Sequence, residues 1–240
     1  MNNNKYNYPS EREMVGWYDL KQLFLTARDV AVSTFISHHS DRRSFYQEWS
    51  ENPPKPISLK KNPGSDDKAN NNEQSNQDED IWIDFVADTG DGGNSTYTVA
   101  KALFEEKINI TVNTEKGDST ISLPRCDLLI LGGDLAYPVA NETEYSEVFL
   151  EFFKAALPIT EEARKNLPVN EDEAVRAVVS FPQNHDWYDN LSIFSQIFCR
   201  EEKETFLDMK CPQIQSYAAV ELPFNWWLFG LDFALSGDID

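Results

Sequence analysis

The chain has 240 residues, with 21 Lys+Arg against 41 Asp+Glu and three His, so it carries a formal charge of −20. At about 100–200 residues per domain, that length holds one domain with appendages or two small domains. A chain this acidic repels nucleic-acid phosphates and anionic membrane surfaces, which excludes the basic footprint of a DNA or RNA binder and points to partners that are neutral, cationic or held through metal ions.

The first residues, Met1 to Arg12, are polar and lack an apolar core of about 7–15 residues, so no secretory leader is expected and residues 1–13 read as a disordered tail. A helical segment, 14–49, follows. Asp19 looks like an N-cap with Gln22 as its capping-box partner, and Leu20, Leu23, Phe24, Ala27, Ala31 and Phe35 recur at helical spacing. The pattern predicts an amphipathic helix over about 19–48 whose apolar stripe packs against the main domain. Residues 50–80, with Pro53, Pro54, Pro56, Pro63 and the acidic Asp78-Glu79-Asp80, offer little to a core and read as a low-complexity acidic linker. No apolar run approaches about 18 residues, so no membrane segment is expected. Three cysteines without a Cys-x-x-Cys pair fit a reduced, cytoplasmic setting.

From residue 81 to 240 the pattern becomes strand, loop, helix, repeated. Ile81–Ala87 predicts a strand ending in Asp88-Thr89-Gly90-Asp91, with a helix over Thr96–Lys107. Asp127–Leu131 predicts a buried strand that stops at Gly132-Gly133-Asp134. Asn141 then caps a helix to about Ala156, with Val148, Phe149, Phe152, Phe153 and Ala156 on its apolar side. Ala174–Phe181 is a third strand, ending at Pro182-Gln183-Asn184-His185-Asp186. The acids at 161–173 read as a solvated surface, Tyr217–Leu222 and Trp226–Leu235 as two further strands, and Trp226 to Phe229 as core or sheet packing. Strands alternating with helices predict an α/β layered fold, whose ligands lie beyond the carboxyl ends of the strands.

Each of the three best strands ends in a cluster of small residues with acids or amides. Taken singly, each cluster reads more readily as a turn than as a site. Together they gather Asp88, Asp134, Tyr137, Asn184, His185 and Asp186 at one sheet edge, a hard oxygen and nitrogen set suited to Mn, Fe, Mg or Zn. Glycine beside each aspartate is expected to turn the backbone sharply enough to bring the carboxylate into the site.

These clusters resemble the first three motifs of the calcineurin-like metallophosphoesterase superfamily, in its purple-acid-phosphatase-like form. The first stands as Ala87-Asp88-Thr89-Gly90, the second as Gly133-Asp134-Leu135-Ala136-Tyr137 and the third as Gln183-Asn184-His185-Asp186. Ala87 and Gln183 depart from glycine, and Gly90 stands where most of the superfamily has a metal-binding histidine. The resemblance implies a β-sandwich flanked by helices (αββα), of which 81–240 is the N-terminal half. It implies two divalent or trivalent ions (Fe, Mn or Zn), with Asp88 on the first, Asp134 bridging, Asn184 on the second and Tyr137 a candidate ligand of the first. Two ions about 3.5–4 Å apart acidify a bridging water and clamp an in-line displacement at phosphorus. His185 would protonate the leaving oxygen of a phosphoester substrate, with Asp186 a candidate orienter of its ring.

The same resemblance calls for later histidines, and only His38, His39 and His185 exist. The expectation is an interrupted chain that binds metal weakly and turns over slowly, its missing C-terminal half carrying the other ligands. His38 and His39 are adjacent, so on a helix they point about 100° apart and make poor substitutes. Two alternatives remain: a non-catalytic phosphoesterase-like interaction module, and a nucleotide-binding loop at Gly90–Gly93, although no Gly-Lys-Ser/Thr is present. Asp232 and Asp238 lie near strand ends without a specific role.

Overall fold

Leu128–Leu131 and Arg176–Ser180 are buried at every position, as expected of parallel strands covered on both faces. In the computed structural model, which describes residues 12–37, 56–59, 80–114, 117–157, 176–200 and 205–233, these runs form the middle of a five-stranded sheet. In chain order the elements are α1 (Leu20–Ser37), β1 (Ile57–Ser58), β2 (Ile83–Val86), α2 (Gly93–Phe104), β3 (Lys107–Thr114), β4 (Gly117–Pro124) and β5 (Leu128–Leu131). Then come the helix α3 (Glu142–Glu144, a π-helical stretch Tyr145–Leu150, and Glu151–Ala156), β6 (Arg176–Ser180), α4 (Ser192–Phe198), β7 (Thr205–Phe206), β8 (Met209–Lys210), β9 (Ala218–Glu221) and β10 (Trp227–Gly230).

The main sheet has the order β2-β5-β6-β8-β7, parallel except for β7. Alternation along the strands divides its side chains between two cores. Leu129, Leu131 and Val178 face the helices, where Phe149 packs 4.4 Å from Phe153 and stacks on Phe206 at 5.9 Å. Leu128, Ile130, Ala177 and Val179 face a smaller sheet, β1-β9-β10, through Val220, Leu228 and Ile57. The molecule is therefore a mixed α/β structure of helices, sheet and second sheet in layers. Gln213 closes the end of β6, accepting the Ser180 N–H at 2.8 Å and donating back to its carbonyl at 2.6 Å.

Several expectations need correction. The helix expected over Thr96–Lys107 starts at Gly93, and Lys107 opens an exposed β3–β4 hairpin that was not anticipated. Within the predicted linker, Ile57 pairs with Val220 and Leu59 joins the inter-sheet core. Trp227 and Phe229 stand on the outer face of the small sheet, stacked on each other 6.1 Å apart, and only Leu228 of that run faces inward.

The largest correction concerns α1. Asp19 does cap it, accepting the Lys21 N–H at 3.0 Å, but Gln22 donates to Thr26 and leaves the capping box open. The helix lies against the turn Asp186–Asp189, and its half-buried positions are Gln22, Leu25, Thr26, Asp29 and Val30, while the predicted stripe faces outward, with Leu20 82% and Phe24 71% exposed. Residues 1–11, the helix expected beyond 37, most of the linker, His38, His39, the acids at 161–173 and Asp238 lie outside the described residues. Among the described residues no helix is long and apolar enough to cross a membrane.

Candidate functional site

Because β2, β5 and β6 are parallel neighbours, their carboxyl ends deliver three loops to one edge of the sheet. Main-chain bonds join the first two: Asp88 N–H donates to the Gly133 carbonyl at 3.0 Å, and Tyr137 N–H donates to the Gly90 carbonyl at 3.2 Å. The third loop closes on the second, with His185 N–H donating to Asp134 Oδ1 at 3.0 Å and Gln183 Nε2 donating to the Gly132 carbonyl at 2.7 Å. Gln183, a departure from glycine in the motif, thus ties two loops together. Neither it nor Ala87 adopts a positive φ, so neither position requires glycine.

Asp88 and Asp134 both sit in the left-handed region, at φ 57° and 52°. Aspartate tolerates that conformation better than most residues, yet two such positions at one sheet edge mark a site held by its surroundings. The glycines do different work from that expected. Gly133 makes the turn, at φ 89°, whereas Gly90 is required by space, since a Cβ there would lie 2.4 Å from the Leu135 and Ala136 backbone. No histidine can occupy position 90 in this backbone.

The Tyr137 hydroxyl lies 2.9 Å from Asp88 Oδ1 and 2.9 Å from Asp134 Oδ2. One phenolic proton therefore serves two carboxylates. Burial, then the hydrogen bond to Asp88 and the charge of Asp134, push the Tyr137 phenol far above its ordinary range. Burial also raises the Asp134 carboxyl, against the His185 N–H and Tyr137 O–H that stabilise its charged form. Three oxygens converge here, two of them from carboxylates, a donor arrangement that a hard cation would neutralise. Among the described residues no group of three or more His, Cys, Asp and Glu side chains is arranged to hold an ion. The donors gathered are two carboxylates and a phenol, a set that fits one hard cation. The exposed Asn184, next to His185, has its amide nitrogen 3.5 Å from the Tyr188 hydroxyl.

His185 Nδ1 lies 2.8 Å from the Pro138 carbonyl, which can only accept, so Nδ1 carries the proton of that bond. Asp186 does not orient the ring. It is fully buried, and one oxygen accepts the Asp134 N–H at 2.7 Å and the Gln183 N–H at 2.9 Å while the other takes the Tyr145 hydroxyl. Desolvation still pushes its carboxyl up to about 6. Asp186 is a buckle between loops, and Tyr145, on the π-helical stretch, is its unanticipated partner. Asp232 accepts from Trp187 Nε1 at 3.0 Å and from the Ser216 hydroxyl, a structural arrangement.

Local structure bears on two other chemistries. In the Gly90–Gly93 loop two amides are already engaged, Gly90 N–H with the Asp134 carbonyl and Gly93 N–H with the Arg12 carbonyl at 2.9 Å, and Met14 lies over Gly92. The three cysteines are buried, and desolvation pushes Cys126 to about 12, so none is poised as a thiolate nucleophile.

At the end of the third loop Asp189 accepts the Ser192 and Ile193 N–H groups, each at 2.9 Å, and holds the start of α4. Burial nonetheless pushes its carboxyl up to about 7. An unfolded aspartate titrates near 3.9, so between these values the folded chain holds a proton that the unfolded chain lacks, and stability falls as pH rises by up to about 1.4 kcal/mol per unit. Asp189→Asn removes the titration and keeps one of the two acceptor oxygens, so it lowers the overall stability while changing its slope with pH. Thermal melts from pH 5 to 8 should show a flatter decline for Asp189→Asn than for the wild type; parallel curves would contradict this assignment.

No family model, curated protein or solved structure matches the chain.

Proposed function

We propose that the chain is a metal-dependent phosphoester hydrolase of the calcineurin-like metallophosphoesterase kind, in its purple-acid-phosphatase-like form, with the described layers forming part of an αββα sandwich. The observation that carries this reading is the Tyr137 hydroxyl placed between Asp88 and Asp134, two left-handed aspartates that follow adjacent parallel strands. Asp88, Asp134 and Tyr137 would hold one ion (Fe, Mn or Zn), and Asn184 is the candidate ligand of a second. Bound there, such ions supply Lewis acidity toward a phosphoryl oxygen and lower the pKa of water. They also offset locally the negative charge that would otherwise repel a phosphate.

His185 supplies the proton. Because the Pro138 carbonyl keeps Nδ1 protonated, the proton that moves is the one on Nε2, which passes to the leaving oxygen as its bond to phosphorus breaks. Asp134 positions this group directly, since its Oδ1 accepts the His185 backbone N–H. Asp186 takes no part in proton transfer and keeps the second and third loops in register.

Turnover is expected to be slow, because His185 is the sole histidine among the described residues and the donor set is rich in oxygen but poor in imidazole. The test is hydrolysis of an aryl phosphate with Mn²⁺, Zn²⁺ or ferric ion added. Metal-dependent release that falls about 10²–10⁴-fold in His185→Ala supports the reading. Release that is independent of metal or unchanged in His185→Ala would contradict it, and stoichiometric metal binding without turnover would favour a non-catalytic module.

A further inference from the structure

Trp17 belongs to none of the three clusters, yet the segment that carries it, residues 12–19, is fastened along the site. Asp91, at the end of the first loop, accepts the Val15 N–H and the Trp17 indole N–H through separate oxygens, each at 2.7 Å. Gly93 N–H donates to the Arg12 carbonyl, and the Arg12 guanidinium spans Glu144 and Glu147 on α3 at 2.5 and 2.6 Å. One exposed ion pair contributes little, but these contacts fasten the segment at Arg12, Val15 and Trp17 and fix where the chain enters α1. Between this segment, α1 and the Tyr137–Val139 loop lies a cavity of about 370 Å³.

The segment delivers one large ring to the site. The Trp17 indole meets Tyr137 edge-to-face at 5.6 Å and His185 at 5.9 Å, with interplanar angles of 86° and 74°. Tyr137 and His185 are themselves 4.5 Å apart, and Tyr188 lies 4.7 Å from His185 on its other contact. The His185 ring thus has aromatic neighbours in Trp17, Tyr137 and Tyr188, and a single ring hydrogen bond among the described residues, to Pro138. One hydrogen bond leaves an imidazole free to swing about that axis; packed ring edges remove the freedom.

We propose that Trp17 is a positioning residue. It holds the His185 imidazole so that Nε2 keeps one direction, and it holds the Tyr137 ring so that its hydroxyl stays between the two carboxylates. The meaning of this for catalysis rests on the hydrolase reading above; the positioning itself does not.

The test measures His185 reactivity without substrate. The chain is treated with diethyl pyrocarbonate and carbethoxylation of His185 is followed by peptide mass mapping. Loss of the two edge-to-face contacts in Trp17→Ala should raise the rate about ten-fold, and Trp17→Phe, which retains a ring, should restore most of the protection. Circular dichroism confirms that each variant is folded. Should Trp17→Ala not fold, Asp91→Asn, which removes no ring but loosens the hold on the Trp17 indole, should accelerate the same reaction. Equal rates in wild type and the folded variants would overturn the proposal. In the metal-supported aryl phosphate assay, Trp17→Ala should lower kcat with little change in KM, whereas a lower KM-normalised rate arising from KM alone would count against positioning. The carbethoxylation rate is read without substrate, so absence of turnover bears on the hydrolase reading alone.

Discussion

Asp134→Asn is expected to lower cation affinity by about 100-fold or more while leaving the metal-free chain as stable as the wild type, or more stable by about 1 kcal/mol. The two halves of this expectation have the same origin. Asp134 is 3% exposed, and burial raises its carboxyl pKa, so its negative charge opposes folding at neutral pH. Asparagine keeps an oxygen for the His185 N–H and tolerates the left-handed backbone as aspartate does, so little is lost when the charge goes. What disappears is the anion that a cation needs. Chemical denaturation and a metal titration on the same preparation separate the two effects. A variant that loses stability but keeps its affinity would show that Asp134 is a structural residue.

Gly133→Ala is expected to destabilise the fold by about 3 kcal/mol or more and to abolish the site with it. A left-handed backbone costs an L-residue about 1–2 kcal/mol, and overpacking adds about 1–3 kcal/mol. Here both terms apply, since Gly133 has φ 89° and a Cβ would come within 2.4 Å of the Gln183 nitrogen and 2.7 Å of the Phe181 oxygen. Main-chain atoms of the third loop cannot yield without moving His185. Gly117→Ala is the control: its φ is 109°, but none of the described residues comes within 4 Å of an added Cβ, so only the conformational term of about 1–2 kcal/mol should appear. Urea denaturation of both variants checks the contrast; equal losses would remove the close approach of the second and third loops from the account.

The strands and the loops they deliver were legible because period and punctuation coincide there. Leu128–Leu131 and Arg176–Ser180 are short apolar runs stopped by Gly or Pro, and parallel pairing then places Asp88, Asp134 and His185 at one edge. The cap at Asn141 was legible for the same local reason, its side chain accepting the Glu144 N–H at 3.0 Å.

What could not be read depends on contacts distant in sequence. Asp186 sits beside His185 in the chain, which suggested a ring partner, but its real partners are the Asp134 N–H, the Gln183 N–H and Tyr145. Periodicity located α1 without revealing which face is covered, because its rotation is set where residues 12–17 tie to Asp91, Gly93 and α3. Trp17 carried no local signal, and its place is fixed by an acid 74 residues later in the chain. The β3–β4 hairpin was legible in principle, since Ile108, Ile110 and Val112 alternate with polar residues before Gly117.

Whether Tyr137 is a metal ligand can be read by titrating the chain with ferric ion, supplied as a weak chelate and followed by visible absorption. A phenolate ligand on ferric iron gives a charge-transfer band, which reports a tyrosine in the coordination sphere rather than metal adhering to an acidic surface. With Tyr137 coordinating, the band saturates at one ion per chain and vanishes in Tyr137→Phe. A wild-type chain with no band, or a band that persists undiminished in Tyr137→Phe, would contradict that coordination.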